Sequence, residues 1–345
     1  MEMFINGLGC VAPQDTKSRP LFKSLIEEPV LQTAIIKPNY RDYIAPAQIR
    51  RMGNAIKMGV VACKDALTEA NVDSPDAIIA GTGLGCQQDS EKFLENILKN
   101  DEQFLTPTSF IQSTHNTVAG AVALMLKCNA YNFTYCHRGF SFENSLVDAQ
   151  IMFEEGDGNN ILVMGIDEIT EHTRQVFQRI NYNVQDPVNP LELVKSKHKG
   201  TVYGEGANSF VLSNKPGDNC YGSIAEVEIL YKPTENEVID KLNDLASKHE
   251  VDVVLAGFNG DEKFDSAYPE LEPIFPKAEI GAFKHLVGEY HTASSFAVWL
   301  AAQVLKDQEI PSVVSIGGKK VQEVNNVLIY NHYNNLDHSF ILIKK

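Results

Sequence analysis

Residues 131–170 hold the clearest candidate for a nucleophile in this sequence, the thiol of Cys136. Residues 132–135 are mostly aromatic or β-branched, and apolar residues after them recur at near-helical spacing up to Gly156. This pattern predicts a buried strand that leads through a tight turn into a helix. A residue at such a turn lies beside the free amides of a helix N terminus, which favour an anionic nucleophile or a developing oxyanion.

Composition limits the classes of protein to consider. The chain has 345 residues, 43% hydrophobic and 22% charged, which suffices for the core of one large domain or two similar ones. Its formal net charge of -15 argues against binding nucleic acid or an anionic membrane surface. No apolar run approaches ~20 residues, and the first residues lack the pattern of a signal peptide. We therefore expect a cytoplasmic protein.

No cofactor or metal is predicted. A lone Gly-x-Gly follows the apolar run 77–80, but the rest of a nucleotide-binding fingerprint is missing. The cysteines show neither a CxxC motif nor the spacing of a Cys/His metal site, so we expect neither a zinc site nor a disulfide framework. The six are Cys10, Cys63, Cys86, Cys128, Cys136 and Cys220.

Three segments of the second part of the chain resemble segments of the first part, in the same order. The pairs are 76–83 with 251–260, 115–124 with 291–302, and 159–164 with 325–330. Duplicated, alternating strands and helices predict two similar α/β halves, residues 1–215 and 220–345, and not a single doubly wound sheet.

Landmarks along nearly the whole chain resemble those of the β-ketoacyl-acyl carrier protein synthases. The resemblance implies a thiolase-like, five-layered αβαβα fold made of two pseudo-symmetric halves, with the active site between them. The matching residues are Arg50, Arg51 and Met52, the segment 107–120 with His115 and Asn116, Gly156 and Asp157, residues 204–207, Lys284 and Gly288, Asp307 and Gln308, and Ile310 and Pro311.

Members of this family carry out Claisen condensation with a cysteine nucleophile, so the resemblance implies where that cysteine should stand. It lies about seventeen residues before the Gly-Asp turn in the family. In this chain that position is Gly139. Cys136 stands three residues too early, beside the bulky Tyr135, His137 and Arg138, and is the alternative nucleophile.

The two histidines that assist condensation in the family are also replaced. Asn259 stands at the position of the first histidine, and Glu289 stands at that of the second, after Lys284. An amide cannot serve as an acid-base partner, and a carboxylate repels an enolate oxyanion. His285 and His291 are interpreted as polar groups near a helix start and not as substitutes.

The loop that closes the active site in the family also differs here. Asn334 and Asn335 replace its glycines. We expect the loop to lose the positive-φ freedom that glycine supplies.

An intact ketosynthase-like chain without these catalytic residues resembles the chain length factors of aromatic polyketide and aryl-polyene-type synthases. Those proteins pair with an active ketosynthase and shape its acyl tunnel without condensing. The resemblance implies a ketosynthase subunit as partner, or a second copy, with acyl carrier protein and an acyl chain as further ligands. Burial of the strand 132–135 would then come from the partner, across an interface of roughly 2,000 Å² or more.

Two other functions stay open. The first is a divergent, active 3-oxoacyl-acyl carrier protein synthase or acyltransferase that uses Cys136, with His291 and Glu289 as an activating pair. The second is a homodimeric protein that binds acyl chains.

Overall fold

The sheet of this protein is continuous and ten-stranded in the computed structural model, which describes residues 2–23 and 25–345. The strand order is β3-β2-β4-β5-β1-β6-β10-β9-β7-β8. The strands are β1 (Met3–Val11), β2 (Ala77–Gly81), β3 (Tyr131–Tyr135), β4 (Asn160–Asp167), β5 (Gly206–Ser213), β6 (Ser223–Tyr231), β7 (Val253–Ala256), β8 (Glu279–Ala282), β9 (Asn326–Tyr333) and β10 (Asp337–Lys344).

Helices connect the strands, and none of those in the described residues is both long and apolar enough to cross a bilayer. They are α1 (Pro46–Ile49), α2 (Asn54–Ala70), α3 (Gln87–Lys99), α4 (Pro107–Gln112), α5 (Thr117–Leu126), α6 (Ser141–Glu155), α7 (Glu171–Arg179), α8 (Glu235–Lys248), α9 (Glu262–Asp265), α10 (Leu271–Ile274), α11 (Lys284–Val287) and α12 (Ala293–Asp307). A short 3-10 helix, Arg138–Phe140, precedes α6.

The sheet repeats its own topology. From the β3 edge inward the order is third, second, fourth, fifth and first strand, and the same order runs inward from the β8 edge. The repeat extends to hydrogen bonds: Asp76 before β2 accepts from two consecutive backbone amides at the start of β4, and Asp252 before β7 does the same at β9. The two halves meet where β1 pairs with β6. The boundaries 1–215 and 220–345 stay a prediction.

Side-chain alternation along the strands separates the core into layers. In β2, Ile79 faces a central apolar cluster that contains α6 and α12, whereas Ile78 faces an outer cluster with α2 and α5. In β7, Leu255 faces the same central cluster and Val254 faces the outer cluster with α8. Two helices thus lie between the halves of the sheet and others cover its outer faces, which confirms the predicted αβαβα layers.

One of the predicted internal pairs is wrong. The sequence pairs residues 291–302 with 115–124, which would make α12 the counterpart of α5. The structure places α12 between β8 and β9, so its topological counterpart is α6, between β3 and β4. Both α5 and α12 are rich in small residues, and that shared composition produced the false match.

The strand predicted to be buried, β3, is an edge strand of the single chain. Tyr131 and Phe133 are 44% and 45% exposed. The prediction of a buried strand is therefore wrong for the chain alone. An apolar strand sequence indicates that something covers the strand, without indicating whether the cover comes from the same chain.

A buried carboxyl group in the central layer makes the stability of the fold depend on pH. Glu143, in the first turn of α6, is completely buried and accepts a hydrogen bond of 2.9 Å from the Ser339 hydroxyl. Burial raises the pKa of Glu143 to about 7. Because this folded-state pKa lies above the unfolded value, folding takes up a proton. The resulting stability is complete below the unfolded pKa and is lost as the pH rises to about 7.

Glu143→Gln removes that titration and should flatten the pH dependence. Between about pH 5 and about pH 8 the wild type should lose about 3 kcal/mol more of its free energy of unfolding than the variant loses. Urea unfolding at both pH values measures the difference. Equal losses in the two proteins would show that Glu143 does not titrate in this range.

Candidate active site

The candidate residues converge although they come from both halves of the chain. Cys136 directly follows β3, Asn259 lies three residues after β7, and Glu289 follows α11, which itself follows β8. β3 is parallel to β2, and β8 and β9 are both parallel to β7, so within each half the carboxyl ends of these strands lie on one side. Parallel α/β sheets bind their ligands at that side.

Lys284, Glu289 and Asn259 form one buried, hydrogen-bonded cluster. The Lys284 ammonium lies 2.7 Å from Oε2 of Glu289 and also donates to the carbonyl oxygen of His332 at 3.0 Å. Nδ2 of Asn259 donates to the same Oε2 at 2.7 Å. The structure therefore brings together the two residues predicted to stand at the positions of the family histidines, and the carboxylate of Glu289 pairs with the lysine.

A glycine contact places Glu289 in this cluster. Helix α11 ends at Gly288, which has a φ of +80°. A β-carbon there would lie 2.7 Å from the amide nitrogen of Gly204, so only glycine fits. Glu289 then bonds through its backbone to Val202 and Gly204. This explains why the two glycine landmarks, which are 84 residues apart in the sequence, occur together.

Asp167, at the end of β4, holds the loop after β2 against the start of α12. Its carboxylate accepts hydrogen bonds from the amide of Gly83 at 2.8 Å and from both the amide and the hydroxyl of Thr292, at 3.0 and 2.9 Å. The Gly83 amide is thus engaged within the protein. The lone Gly-x-Gly motif thus takes part in the packing between this loop and Asp167.

Cys136 is exposed, and its thiol donates to the carbonyl oxygen of Gly83 at a distance of 3.2 Å. Partial burial raises the pKa of this thiol above its usual value, and the nearby Asp167 carboxylate raises it further. A reactive cysteine needs the opposite shift, toward thiolate. The surroundings of Cys136 therefore keep it in its less nucleophilic form.

Gly139, the other candidate position, lies in the 3-10 helix and is buried. Its amide donates to Asp337 at 3.2 Å, so a carboxylate of the protein occupies the place where a helix-start amide would stabilise an anion. A β-carbon at this position would lie 2.5 Å from the β-carbon of Tyr333. A nucleophilic side chain at 139 would require the neighbouring hairpin to move.

The hairpin between β9 and β10 corrects the expectation for the closing loop. Asn334 and Asn335 both adopt a φ of +54°. Asparagine tolerates this left-handed conformation better than other residues with a side chain. The prediction that the loop loses positive φ is wrong, and the turn is a short connection between paired strands.

His291 is a site residue that the sequence interpretation set aside. It packs directly on Gly83, because a β-carbon there would lie 2.1 Å from the imidazole. The centre of its ring is 4.5 Å from that of Tyr333. Burial lowers the pKa of His291, although Asp167, Glu289 and Asp337 oppose the shift. The imidazole is therefore neutral near pH 7.

His285 has a different environment and a structural role. Its Nε2 lies 2.9 Å from the carbonyl oxygen of Val313, in the segment that covers β8. Of the two histidines near Glu289, only His291 shares a neighbour, Gly83, with Cys136.

A surface cavity of about 630 Å³ lies beside the loop that carries Asn259. Tyr182, Lys199, Asp261 and Lys263 are among its lining residues. Within residues 2–23 and 25–345, no three His, Cys, Asp or Glu side chains form a group that could hold a metal ion.

The strand topology and the layers define a thiolase-like, ketosynthase-like fold. Residues 28–197 match the family model of the beta-ketoacyl synthase N-terminal domain. Comparison with curated protein sequences gives no match.

Solved structures with the same fold include ketosynthases and their assemblies. One is a type II polyketide synthase acyl-carrier protein in complex with its ketosynthase bound to the hexaketide, with a TM-score of 0.77, 13% identity and 99% of both chains covered. Others are the ishigamide ketosynthase/chain length factor and a beta-ketoacyl synthase from Burkholderia phymatum STM815. Each of these has a TM-score of 0.76 and 15% identity, with 100% of this chain and 99% of the other covered. The TM-scores establish the fold, and at these identities they establish the fold alone.

The Lys284–Glu289 pair allows a test by double-mutant cycle. Lys284→Met and Glu289→Gln should each lower the free energy of unfolding by about 3–5 kcal/mol, because each leaves a buried charge without its partner. The double variant should recover most of that loss. Urea unfolding of the three variants and the wild type gives the coupling energy. Losses that simply add would show that the two charges do not interact.

Proposed function

We propose that this protein is a non-condensing ketosynthase homologue that acts as the chain length factor type of subunit beside an active ketosynthase. The observation that carries the proposal is the closed cluster of Lys284, Glu289 and Asn259. In it the Lys284 ammonium and the Asn259 amide both donate to the Glu289 carboxylate, and Lys284 also donates to the His332 carbonyl.

Decarboxylative condensation needs donors directed at the substrate. The enolate that follows loss of carbon dioxide develops negative charge on the thioester oxygen, and preorganised donors or cations must meet it there. At the two histidine positions this protein offers an amide whose donor is engaged and a carboxylate that has already neutralised the nearby lysine. These groups disfavour the enolate.

The two candidate nucleophile positions, Cys136 and Gly139, also argue against condensation. Cys136 is held as a thiol next to Asp167, and the Gly139 amide that follows it is bound by Asp337. With carboxylates at both places, neither a thiolate nor a tetrahedral oxyanion gains stabilisation.

The two edges of the sheet differ, and this difference supports the presence of a partner subunit at one of them. At the β8 edge, residues 313–317 of the same chain hydrogen-bond to Ile280 and Ala282, and all of β8 is buried. At the β3 edge the strand pairs only with β2 in the described residues, and Tyr131 and Phe133 are exposed. An open, apolar edge strand is unfavourable in isolation and favours strand addition by another chain.

The nature of that partner rests on the structural relatives. One of them is a ketosynthase/chain length factor and another is a ketosynthase in complex with its acyl-carrier protein. We propose a ketosynthase subunit at the β3 edge, with acyl carrier protein and acyl chain reaching the assembly. A second copy of this chain, in a homodimer that binds acyl chains, is the alternative occupant.

One observation favours a second candidate function, acyl transfer through Cys136. Its thiol and the His291 ring both contact Gly83, so a neutral base lies near an accessible thiol. That arrangement is typical of a cysteine activated by histidine. The raised pKa of Cys136 is the reason that we rank this function second.

An acylation assay distinguishes the two candidate functions. Purified protein incubated with acyl- and malonyl-carrier protein should form no covalent adduct by intact mass and should release no carbon dioxide, since neither the thiol nor the cluster is activated. An active ketosynthase is the positive control. A stoichiometric adduct that disappears in Cys136→Ala would establish the acyltransferase instead.

Complex formation tests whether a ketosynthase is the partner subunit. Co-expression with a ketosynthase from the same organism should give a one-to-one complex whose condensation activity is unaffected by Cys136→Ala. Phe133→Glu, at the open edge, should abolish the complex because it places a charge in an apolar interface. Ile316→Glu, a similarly exposed position at the covered β8 edge, is the matched control and should leave the complex intact. A complex that survives Phe133→Glu would refute the assignment of β3.

A further inference from the structure

Residues 313–319 run antiparallel to β8 and cover its edge as a strap. The Ala282 amide of β8 donates to the carbonyl oxygen of Val314 in the strap at 2.9 Å. In return, the Ile316 amide of the strap donates to the carbonyl oxygen of Ile280 at 2.9 Å. These bonds occupy backbone groups that an open edge strand would offer to another chain.

One buried carboxylate anchors the strap. Glu279, the first residue of β8, is completely buried. Its Oε1 accepts from the Ser315 hydroxyl at 2.6 Å and from the amides of Gly317 and Gly318 at 3.0 and 3.1 Å. Its Oε2 accepts from the Lys319 amide. Hydrogen bonds to a carboxylate are roughly twice as strong as neutral ones, so these four bonds hold the strap more firmly than its backbone ladder does.

The strap also fills a space above β8. Val314 is completely buried, and a β-carbon on Gly281 would lie 3.1 Å from its Cγ1. The valine therefore occupies the place that the glycine leaves free. The open edge of the sheet has the opposite character, because Tyr131 and Phe133 of β3 present large rings that are 44% and 45% exposed.

We propose that the strap, residues 313–319, is a releasable cover that keeps β8 from pairing with the β3 strand of a second copy of this chain. The two halves repeat one topology, so β3 and β8 are equivalent strands at opposite ends of the sheet. If both were open, β3 of one copy would pair with β8 of the next, and this head-to-tail contact would continue into a ring or a filament. With β8 covered, association through β3 stops at two chains.

The β3 strand suits the uncovered β8 better than a second β8 does. Two β8 strands would bring glycine against glycine and leave the space of Val314 empty, which is unfavourable. An aromatic ring from β3 would fill that space, and aromatic residues across from glycine stabilise neighbouring strands. The proposal concerns copies of this chain and does not depend on which protein pairs with β3 in the wild type.

Glu279→Gln and Ile316→Pro should each release the strap. In Glu279→Gln an NH2 group replaces one acceptor oxygen and faces donors of the strap. Ile316→Pro removes the amide that binds Ile280 and leaves Glu279 and β8 unchanged, so it guards against a first variant that fails to fold. Hydrogen exchange measures the release in the Phe133→Glu background, which prevents new pairing. The Ala282 amide should exchange at least about 10-fold faster there than in Phe133→Glu alone.

Sedimentation velocity over a range of concentrations measures the assembly. The wild type should contain at most two chains. Each released variant should form larger species whose mass rises with concentration. Combination with Phe133→Glu should return it to single chains, because that substitution removes the β3 partner. A combined variant that still forms dimers would show that β8 pairs with β8, and would refute β3 as the occupant.

Glu168→Gln is the matched control. Glu168 is also a buried glutamate that accepts backbone amides, those of Ala55 and Gln88, both at 3.0 Å, but it lies at the starts of α2 and α3 and not at an edge of the sheet. Its replacement should lower stability and leave the mass of the assembly unchanged.

Three results would overturn the proposal. The first is a strap that stays protected from exchange in both variants, and the second is a released variant that stops at two chains. The third is growth of the wild type or of Glu168→Gln beyond two chains. None of these outcomes affects the co-expression test of the partner subunit.

Discussion

The site depends on the hydrogen bonds of Asp167, a buried carboxylate that joins the two halves of the chain. On one side it binds the loop after β2, and on the other it binds Thr292 at the start of α12. Hydrogen bonds to an ionised group are the strong ones, and in a buried setting their loss leaves an uncompensated charge. By fixing Gly83 against His291, Asp167 also fixes the carbonyl oxygen to which Cys136 donates. Partial burial raises the pKa of the Cys136 thiol, and the same negative charge that organises the site raises it further.

The electrostatic character of the site follows from where the carboxylates are. Asp167 lies beside Cys136, Asp337 binds the amide of Gly139, and Glu289 neutralises Lys284. A site that must stabilise a developing oxyanion places donors and cations at these points. Here the Gly139 amide and the Lys284 ammonium meet carboxylates of the protein, and a third carboxylate lies beside Cys136. A histidine introduced at position 259 or 289 would still leave the Asp167 and Asp337 carboxylates in place.

Sequence reasoning succeeds where the signal is local and fails where it is not. The runs around β2, β4, β7 and β9 are apolar and β-branched, so their existence and order could be predicted. The roles of Asp167 and Asp337 could not, because Asp167 and Thr292 are 292 − 167 = 125 residues apart and no periodicity links them. Asn334 and Asn335 show a different limit, since substitution of glycine does not exclude positive φ when the replacement is asparagine. One signal in the sequence could have identified His291 as a site residue: it lies directly before Thr292 and the start of α12.

The open β3 edge lies directly beside the candidate active site. Because the halves repeat the same topology, each ends in an edge strand, yet in the part of the chain that the structure describes only β8 is covered by its own chain. Cys136 immediately follows β3, and like that open edge strand it is exposed. A chain that pairs with β3 would therefore lie beside Cys136 and set how much solvent reaches it. The surroundings of the thiol are then a property of the assembly, and a partner that brings a cation there would oppose the effect of Asp167 on its pKa.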